Sequence, residues 1–537
     1  MRRLVLFIIF SILLTTITYS QELEIKWQQC FGGSNIENVH DIKKISGGYM
    51  LVGGTGSNDG DVSFNHGGWD AWIIKLDSIG NLLWGKTYGG SDGDAWGTII
   101  PTQDNKYYLV GATGSSDGDI SYDPYPGSND VWVAKIDSFG EIIWEKIIGG
   151  ELIDLMYAGT LTKDGGFAMF GYTGSQTGDV SVNYGMYDMW LVKLNSDGGI
   201  EWDKSFGTDD FDWGIDIIQT SDGGFLLGGF STIGNGGNLS CEPFNNNSEA
   251  VVIKLDSIGN IEWQNCYGGS GSDGFSAILE TKNGYILSGY GGSSDGDLNG
   301  SGWHGEGDVW VIKIDFFGKI IWQKCFGGSM NETPTSVFQT SDDCIVIFAP
   351  TQSQNGDITN NHSISEYDND IWFFKIDSVG EIITQKCFGG VGNEFLWSSS
   401  ITKNNDSNYV IAAQTNFGPS YDVGCEPHGG LYDEDWWIFE IGFEDTTVLH
   451  ESLPGSGNLE VYPNPADDWV AFNYKIPSYI DEAVLRITDI EGREIVKFRF
   501  DTERGQQLWD VRKVKSGIYL YTLEAGNNIK SGKLIVK

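Results

Sequence analysis

The chain has 537 residues, 33 Lys+Arg against 74 Asp+Glu, and a net charge of −41. That length allows two or three domains with sizeable cores. The acidic excess, with no arginine between Arg3 and Arg486, excludes recognition of nucleic acid, which needs clustered Lys and Arg on the phosphates; it suits a solubilised external surface or a cation-binding one.

In chain order, Arg2 and Arg3 precede the apolar run LVLFIIFSILLTTI (4–17), and Thr18-Tyr19-Ser20 places small residues before Gln21. This predicts a secretory signal peptide over 1–20, cleaved between Ser20 and Gln21. The run is shorter than the roughly 20 residues a membrane span needs. No later stretch could cross a bilayer as a helix, so no transmembrane segment is expected in the mature chain.

Next comes a repeat. "DAWIIKLDSIGN" (70–81) returns as "DVWVAKIDSFGE" (130–141), "DMWLVKLNSDGG" (188–199), "EAVVIKLDSIGN" (249–260), "DVWVIKIDFFGK" (308–319), "DIWFFKIDSVGE" (370–381) and "DWWIFEIGFED" (435–445). The equivalent positions Trp72, Trp132, Trp190, Val251, Trp310, Trp372 and Trp437 are spaced by 60, 58, 61, 59, 62 and 65 residues. Each copy reads as four short strands rich in Ile, Val, Phe and Trp, bounded by Gly, Asp and Asn. Seven four-stranded units of this length predict an all-β fold, a seven-bladed β-propeller over 21–443. The phrase "IKWQQCFGG" at 25–33 matches "IIWQKCFGG" at 320–328, the end of a repeat. The last copy lacks that strand. Ile25–Gly32 is therefore expected to complete the seventh blade and close the ring, which leaves no raw sheet edge.

Of seven cysteines, Cys30, Cys266, Cys325 and Cys387 share one repeat position, held elsewhere by Thr87, Ile147 and Ser205. A site that tolerates such residues is a small packing site, so these four are expected as buried free thiols. Cys241 and Cys425 lie in matching "CEP" phrases; sequence alone does not pair them.

Acidic loops are the candidate ligand- or cation-binding face. They carry Asp59 and Asp61, Asp92 and Asp94, Asp117 and Asp119, Asp179, Asp295 and Asp297, and Asp357. Asp pairs around a Gly could offer oxygens to Ca²⁺, the one cofactor considered. The plainer reading is turn chemistry, with Asp capping its own backbone. His66, His304, His362 and His428 fall in the long loops. A transition-metal site among them competes with ordinary repeat drift. Trp72, Trp84, Trp132, Trp144, Trp190 and Trp202 are expected between blades. Trp69, Trp96, Trp213, Trp303 and Trp397 are the better candidates for ligand contact. No catalytic residue stands out.

Residues 444–458 read as a linker. After it, "LEVYPNPADDWVAF", "LRITDIEGREIVK" and "SGIYLYTLEAGNNIKSGKLIVK" fill 459–537. Through Tyr462, Pro463, Asn464, Pro465, Asp489, Gly492, Arg493, Gly517, Tyr519 and Lys533, this stretch resembles the C-terminal sorting domain of type IX secretion cargo in Bacteroidetes-type bacteria. The resemblance implies a small Ig-like β-sandwich read by the outer-membrane secretion machinery, and a body released or held on the cell surface. The body resembles repeat propellers carried by such cargo, with a "DGGY…GxT…DGD…DxW" pattern; that likeness carries no settled activity. The expected function is an exported, non-catalytic module binding a glycan or protein, as an adhesin or scaffold. The competing expectation is a carbohydrate-active hydrolase or lyase using loop carboxylates.

Overall fold

The computed structural model describes residues 23–537 apart from 233, 241–246, 366, 398, 429–433, 444–458, 463–465, 467–468, 476–482, 490–492, 501–503 and 526–527. The expected signal peptide with Ser20 and Gln21, the linker, Cys241, Pro463, Asn464, Pro465 and Gly492 lie outside the described residues. Contacts divide the chain into a unit Leu23–Gly442 and a second that includes Phe443–Lys537.

Among its described residues the first unit is β throughout, apart from a 3-10 turn at Gly296–Leu298. Glu37–Ile45, Gly48–Thr55, Asp70–Asp77 and Leu82–Tyr88 form one sheet, paired antiparallel in that order. Five further four-stranded sheets repeat the order over 94–148, 154–206, 212–267, 273–326 and 336–388. A seventh contains Glu394–Phe395, Ile401–Lys403, Asn408–Thr415 and Asp435–Phe443, and its outer strand is Leu23–Phe31.

Burial explains the residue choice. The second and third strands are buried on both faces, as in Gly48–Thr55 and Asp188–Leu194, and read as continuous apolar runs. The inner strand alternates (Asp94–Pro101), and the outer strand is mostly half-buried (Leu82–Tyr88). Each inner strand packs on the next one, from Glu37–Ile45 through Ser336–Gln339, and Glu37–Ile45 also packs on Ile401–Lys403 and Asn408–Thr415. Five inner strands carry a bulge, at His40, Gly97, Tyr157, Ile215 and Ser276. A bulge re-aims the side chain of its extra residue. Opposite one of them, a Cβ on Gly111 would collide with the Ala95 carbonyl oxygen, so only glycine fits.

The second unit holds two sheets. One contains Leu459–Tyr462, Trp469–Lys475 and Arg504–Asp510, the other Glu494–Phe500, Ala483–Asp489, Gly517–Ala525 and Asn528–Val536. Val470 and Phe472 of the first share an apolar core with Leu485, Ile487, Leu523 and Leu534 of the second.

Candidate functional site

The predicted aspartates form a repeated clasp between two loops. Asp59 Oδ1 accepts from Ser34 N (2.7 Å) and Asp61 Oδ2 from Gly32 N (3.3 Å). Asp117 and Asp119 hold Ser91 N and Gly89 N (2.7 and 3.2 Å) in the same way, as do Asp295 and Asp297 on Ser270 N and Gly268 N (2.7 and 3.2 Å). Asp179 takes Gly149 N (3.3 Å) and Asp357 takes Gly327 N (3.2 Å). Asp92 is exposed. The clasps use these carboxylates to hold backbone N–H groups of a different loop, 25–30 residues away in sequence, not of their own turn. Among the described residues no group of three or more His, Cys, Asp or Glu is placed to hold a metal ion.

Asp94 differs from the rest. It is buried, and Gly90 N and the Ser115 hydroxyl both donate to its Oδ2 (2.8 Å each). It belongs to a second set. Glu37, Asp94, Asp154, Asp212, Asp273, Glu332 and Glu394 stand at or just before the inner strands. Asp70, Asp130, Asp188, Glu249, Asp308, Asp370 and Asp435 open the third strands, and all fourteen are buried. Sequence reasoning missed thirteen of them, although "D-x-W" marks six of the third-strand acids. Burial pushes Asp130 and Asp188 up to about 7, with Asp154 and Asp212 nearby adding to the shift. Burial and then Asp370 push Glu394 up to about 8.

The four loop histidines share one task. Nδ1 of His66, His304, His362 and His428 lies 2.6, 3.0, 3.1 and 3.1 Å from Oδ2 of Asp70, Asp308, Asp370 and Asp435. Each backbone N–H donates to that same oxygen. Each imidazole thus holds the third-strand aspartate of its own sheet and also approaches a loop aspartate of the next: His66 Nε2 lies 3.4 Å from Asp119, His304 Nε2 3.8 Å from Asp357, His362 Nδ1 3.8 Å from Asp422 and His428 Nε2 3.8 Å from Asp61.

Two cysteine expectations are corrected. Cys30 is bonded to Cys425 across 395 residues (Cα–Cα 5.7 Å), and Cys266 is disulfide-bonded too. The outer-strand position faces the long loop of its own sheet. There the Thr87 hydroxyl donates to the Phe64 carbonyl (2.6 Å) and that of Ser301 to Cys325 Sγ (3.0 Å). A thiol on both sides makes the same contact covalent. Cys325 and Cys387 are free and buried, as expected.

An apolar concave site lies elsewhere. A cavity of about 250 Å³ is lined by His40, Gly97, Leu155, Tyr157 and Trp397, with small residues such as Gly111 at its floor. Three of these, His40, Gly97 and Tyr157, are bulge residues, so the bulges build the wall. His40 Nδ1 lies 2.8 Å from the Trp96 carbonyl, which only accepts. Nδ1 therefore carries the proton and Nε2 is an acceptor. Burial lowers the His40 pKa, which keeps the ring neutral. Trp397, 40% exposed, meets His40 edge-on at 5.3 Å. Of the other candidate tryptophans, Trp303 is 37% exposed, Trp213 stacks on Tyr172, and Trp69 is half-buried. Trp96 is fully buried and stacked on Trp132 at 4.1 Å, so it is core. Trp72, Trp132 and Trp190 are fully buried, whereas Trp84, Trp144 and Trp202 are half-buried.

In the second unit, Arg493 donates to Asp489 through its backbone N and Nε (2.9 and 2.7 Å). Gly517 opens a strand, the Tyr519 hydroxyl donates to the Lys515 carbonyl (2.6 Å), and Lys533 faces Leu520 in register. Tyr462 ends the strand Leu459–Tyr462. Residues 460–537 match the family model of the secretion system C-terminal sorting domain. The protein is type IX cargo, exported to the cell surface or beyond it. No helix among the described residues is long and apolar enough to cross a membrane. No curated protein matches the sequence. Among solved structures the chain is similar to Sqt1 from Chaetomium thermophilum, at 10% identity and TM-score 0.35, covering 73% of this chain and 97% of that one. A puromycin hydrolase aligns at 10% and 0.39 over 84% and 61%. An ulvan lyase, a polysaccharide lyase, aligns at 10% and 0.31 over 90% and 95%. Values this low transfer no ligand and no chemistry.

Proposed function

We propose that the body is a closed, seven-bladed β-propeller displayed or released outside the cell, where it binds a glycan or protein without chemical conversion. Three domains follow in this reading: a signal peptide over 1–20, the propeller over 21–443, and, after the linker 444–458, an Ig-like sorting sandwich over 459–537. Ring closure is supported by one hydrogen bond repeated at every sheet boundary. The backbone N–H of the inner acid donates to the carbonyl just before the previous third strand: Asp94 to Trp69 (2.7 Å), Asp154 to Asn129, Asp212 to Tyr187, Asp273 to Ser248, Glu332 to Gly307 and Glu394 to Asn369. Glu37 donates in the same way to Glu434 (2.7 Å), linking the last sheet to the first.

Binding is carried by the cavity of His40, Tyr157 and Trp397, an apolar hollow with one fixed acceptor. Its volume suits a single ring-sized group at the end of a larger ligand. A sugar ring or aromatic side chain stacked on Trp397, with a hydroxyl or N–H donated to His40 Nε2, fits that chemistry. The loop aspartates, already engaged with backbone N–H groups, serve structure in this reading, and Ca²⁺ is not required.

The test is an array of glycans and matrix proteins probed with the full chain, in calcium and in chelator. Binding that survives chelator and is lost in Trp397→Ala is expected. Loss in chelator would return the site to the acidic loops. Depolymerisation of an arrayed polysaccharide would favour a lyase or hydrolase.

A further inference from the structure

The buried acids come in facing pairs across the seven sheet boundaries. Each third-strand acid meets the inner-strand acid of the following sheet over one glycine. A Cβ added to Gly207 would touch both Asp188 Oδ1 and Asp212 Oδ2, and one added to Gly149 would touch Asp130 and Asp154. Gly89, Gly268, Gly327, Gly389 and Gly32 stand likewise between Asp70 and Asp94, Glu249 and Asp273, Asp308 and Glu332, Asp370 and Glu394, and Asp435 and Glu37.

The donors around a pair are unevenly shared. Most inner acids are supplied at both oxygens, as Glu394 is by Gly390 N and the Thr415 hydroxyl (2.8 and 2.9 Å), whereas Asp212 takes Thr208 N and hydroxyl on Oδ2 alone (2.7 and 3.2 Å). The third-strand acid is supplied at Oδ2, as by Tyr184 N on Asp188 (2.6 Å). In Asp70, Asp188, Asp308, Asp370 and Asp435, Oδ1 is buried with no hydrogen-bond partner, and so is Oδ1 of the inner acids Asp94 and Asp212. A buried oxygen without a partner is costly, and two ionised carboxylates in dry contact more so. A proton on one of the two relieves both costs.

We propose that each boundary is a proton-binding site, a buried carboxyl–carboxylate pair sharing one proton, so that the body reaches full stability with about seven protons bound. A divalent cation is the poorer occupant. Calcium needs 6–8 oxygens, whereas these acids are engaged with N–H and O–H donors. Facing groups modulate individual pairs. His66, His304, His362 and His428 face Asp70, Asp308, Asp370 and Asp435, Asp422 also faces Asp370, and Asp357 faces Asp308. Asp210 faces Asp212, so Asp188–Asp212 is a pair with carboxylates on both sides and the cleanest to probe.

The experiment measures infrared absorption of protonated carboxyl groups and thermal unfolding of the full chain, at about pH 6 and about pH 9. The expected result is a carboxyl band in the folded protein near pH 6, well above the range of free Asp and Glu, that fades toward pH 9 as the midpoint falls. Asp188→Asn supplies a permanent N–H donor where the proton sat. It is expected to fold, to lose about one-seventh of the band, and to hold its midpoint better at the higher pH. Asp212→Asn, which sets an amide N–H against the Thr208 donors, is expected to lower the midpoint at both pH values. No carboxyl band in the wild type near pH 6 would overturn the proposal whatever the variants do. So would a midpoint at about pH 9 that rises on adding calcium and loses that rise in Asp188→Asn, the mark of a cation site.

Discussion

In the unit Leu23–Gly442, fourteen carboxylates lie buried at strand ends, and most of the loop aspartates are hydrogen-bonded to backbone N–H groups. In the unit that includes Phe443–Lys537, carboxylates and arginines pair at the surface: Asp489 with Arg493 (2.7 Å), Asp510 with Arg512 (2.6 Å) and Glu494 with Arg486 (3.1 Å). Composition follows that division. Residues 459–537 hold 12 basic and 12 acidic residues, and the rest of the chain 21 and 62. The contrast teaches that acidity in the body is architectural, set by backbone donors and proton binding. In the C-terminal unit it is ordinary surface pairing, worth little and screened by salt.

Raising the pH should separate the two units most strongly. Glu37, Asp130 and Asp188 are pushed up to about 7 and Glu394 to about 8, chiefly by burial. Groups with raised folded pKa values contribute stability that is full below the unfolded carboxyl range and lost as pH climbs through the folded values. His362, raised by its bond to Asp370, acts in the same direction. Calorimetry between about pH 6 and about pH 9 should show the body transition moving down by more than any single substitution below achieves, and the C-terminal transition barely moving. Parallel movement of both would break the comparison.

Removing the Cys30–Cys425 bond comes next. Its long closed loop predicts a loss of about 3–5 kcal/mol in urea unfolding of the body for Cys30→Ser. Cys325→Ser, at the equivalent free position, should cost about 1 kcal/mol or less. Trp397→Ala should weaken ligand binding by about tenfold or more, read by titration calorimetry, and cost about 1–2 kcal/mol of stability, because the ring is 40% exposed and its Nε1 donates to Gln414 (2.6 Å). The smallest effect is expected in the C-terminal unit. Arg493→Ala breaks an exposed pair and should shift its stability by about 0.5 kcal/mol or less, fading further in high salt.

Much of the strand architecture was legible because a repeat of about sixty residues states the same pattern seven times, and errors in one copy are corrected by the others. The "DSIG" turns are an example. Gly80, Gly140, Gly259 and Gly380 all take positive φ (85°, 81°, 83° and 83°), where glycine has no Cβ penalty. The candidate site was less legible. Asp59 and Asp61 stood out by their spacing, yet the partners that use them, Ser34 and Gly32, are far away in sequence. His40 and Tyr157 carry no mark of a site in the sequence, because a bulge adds one position that simple alternation does not register. The glycine opposite each bulge, as at Gly53, Gly111 and Gly171, was the available signal.

By itself the sequence determined what is local or periodic: strands, turns, the all-β class, the acidic body and the address at the C-terminus. Hydrophobic alternation and turn chemistry act over a few residues, and each copy restates them. The tertiary structure alone decided which residues distant in sequence become neighbours. It brought Cys30 to Cys425, Asp188 to Asp212, and Trp397 to His40. Those contacts depend on how distant strands pair and how the sheets stack, and burial there changes the chemistry. An aspartate in a solvated turn is a cap, whereas the same residue facing another acid in a dry boundary is a proton site.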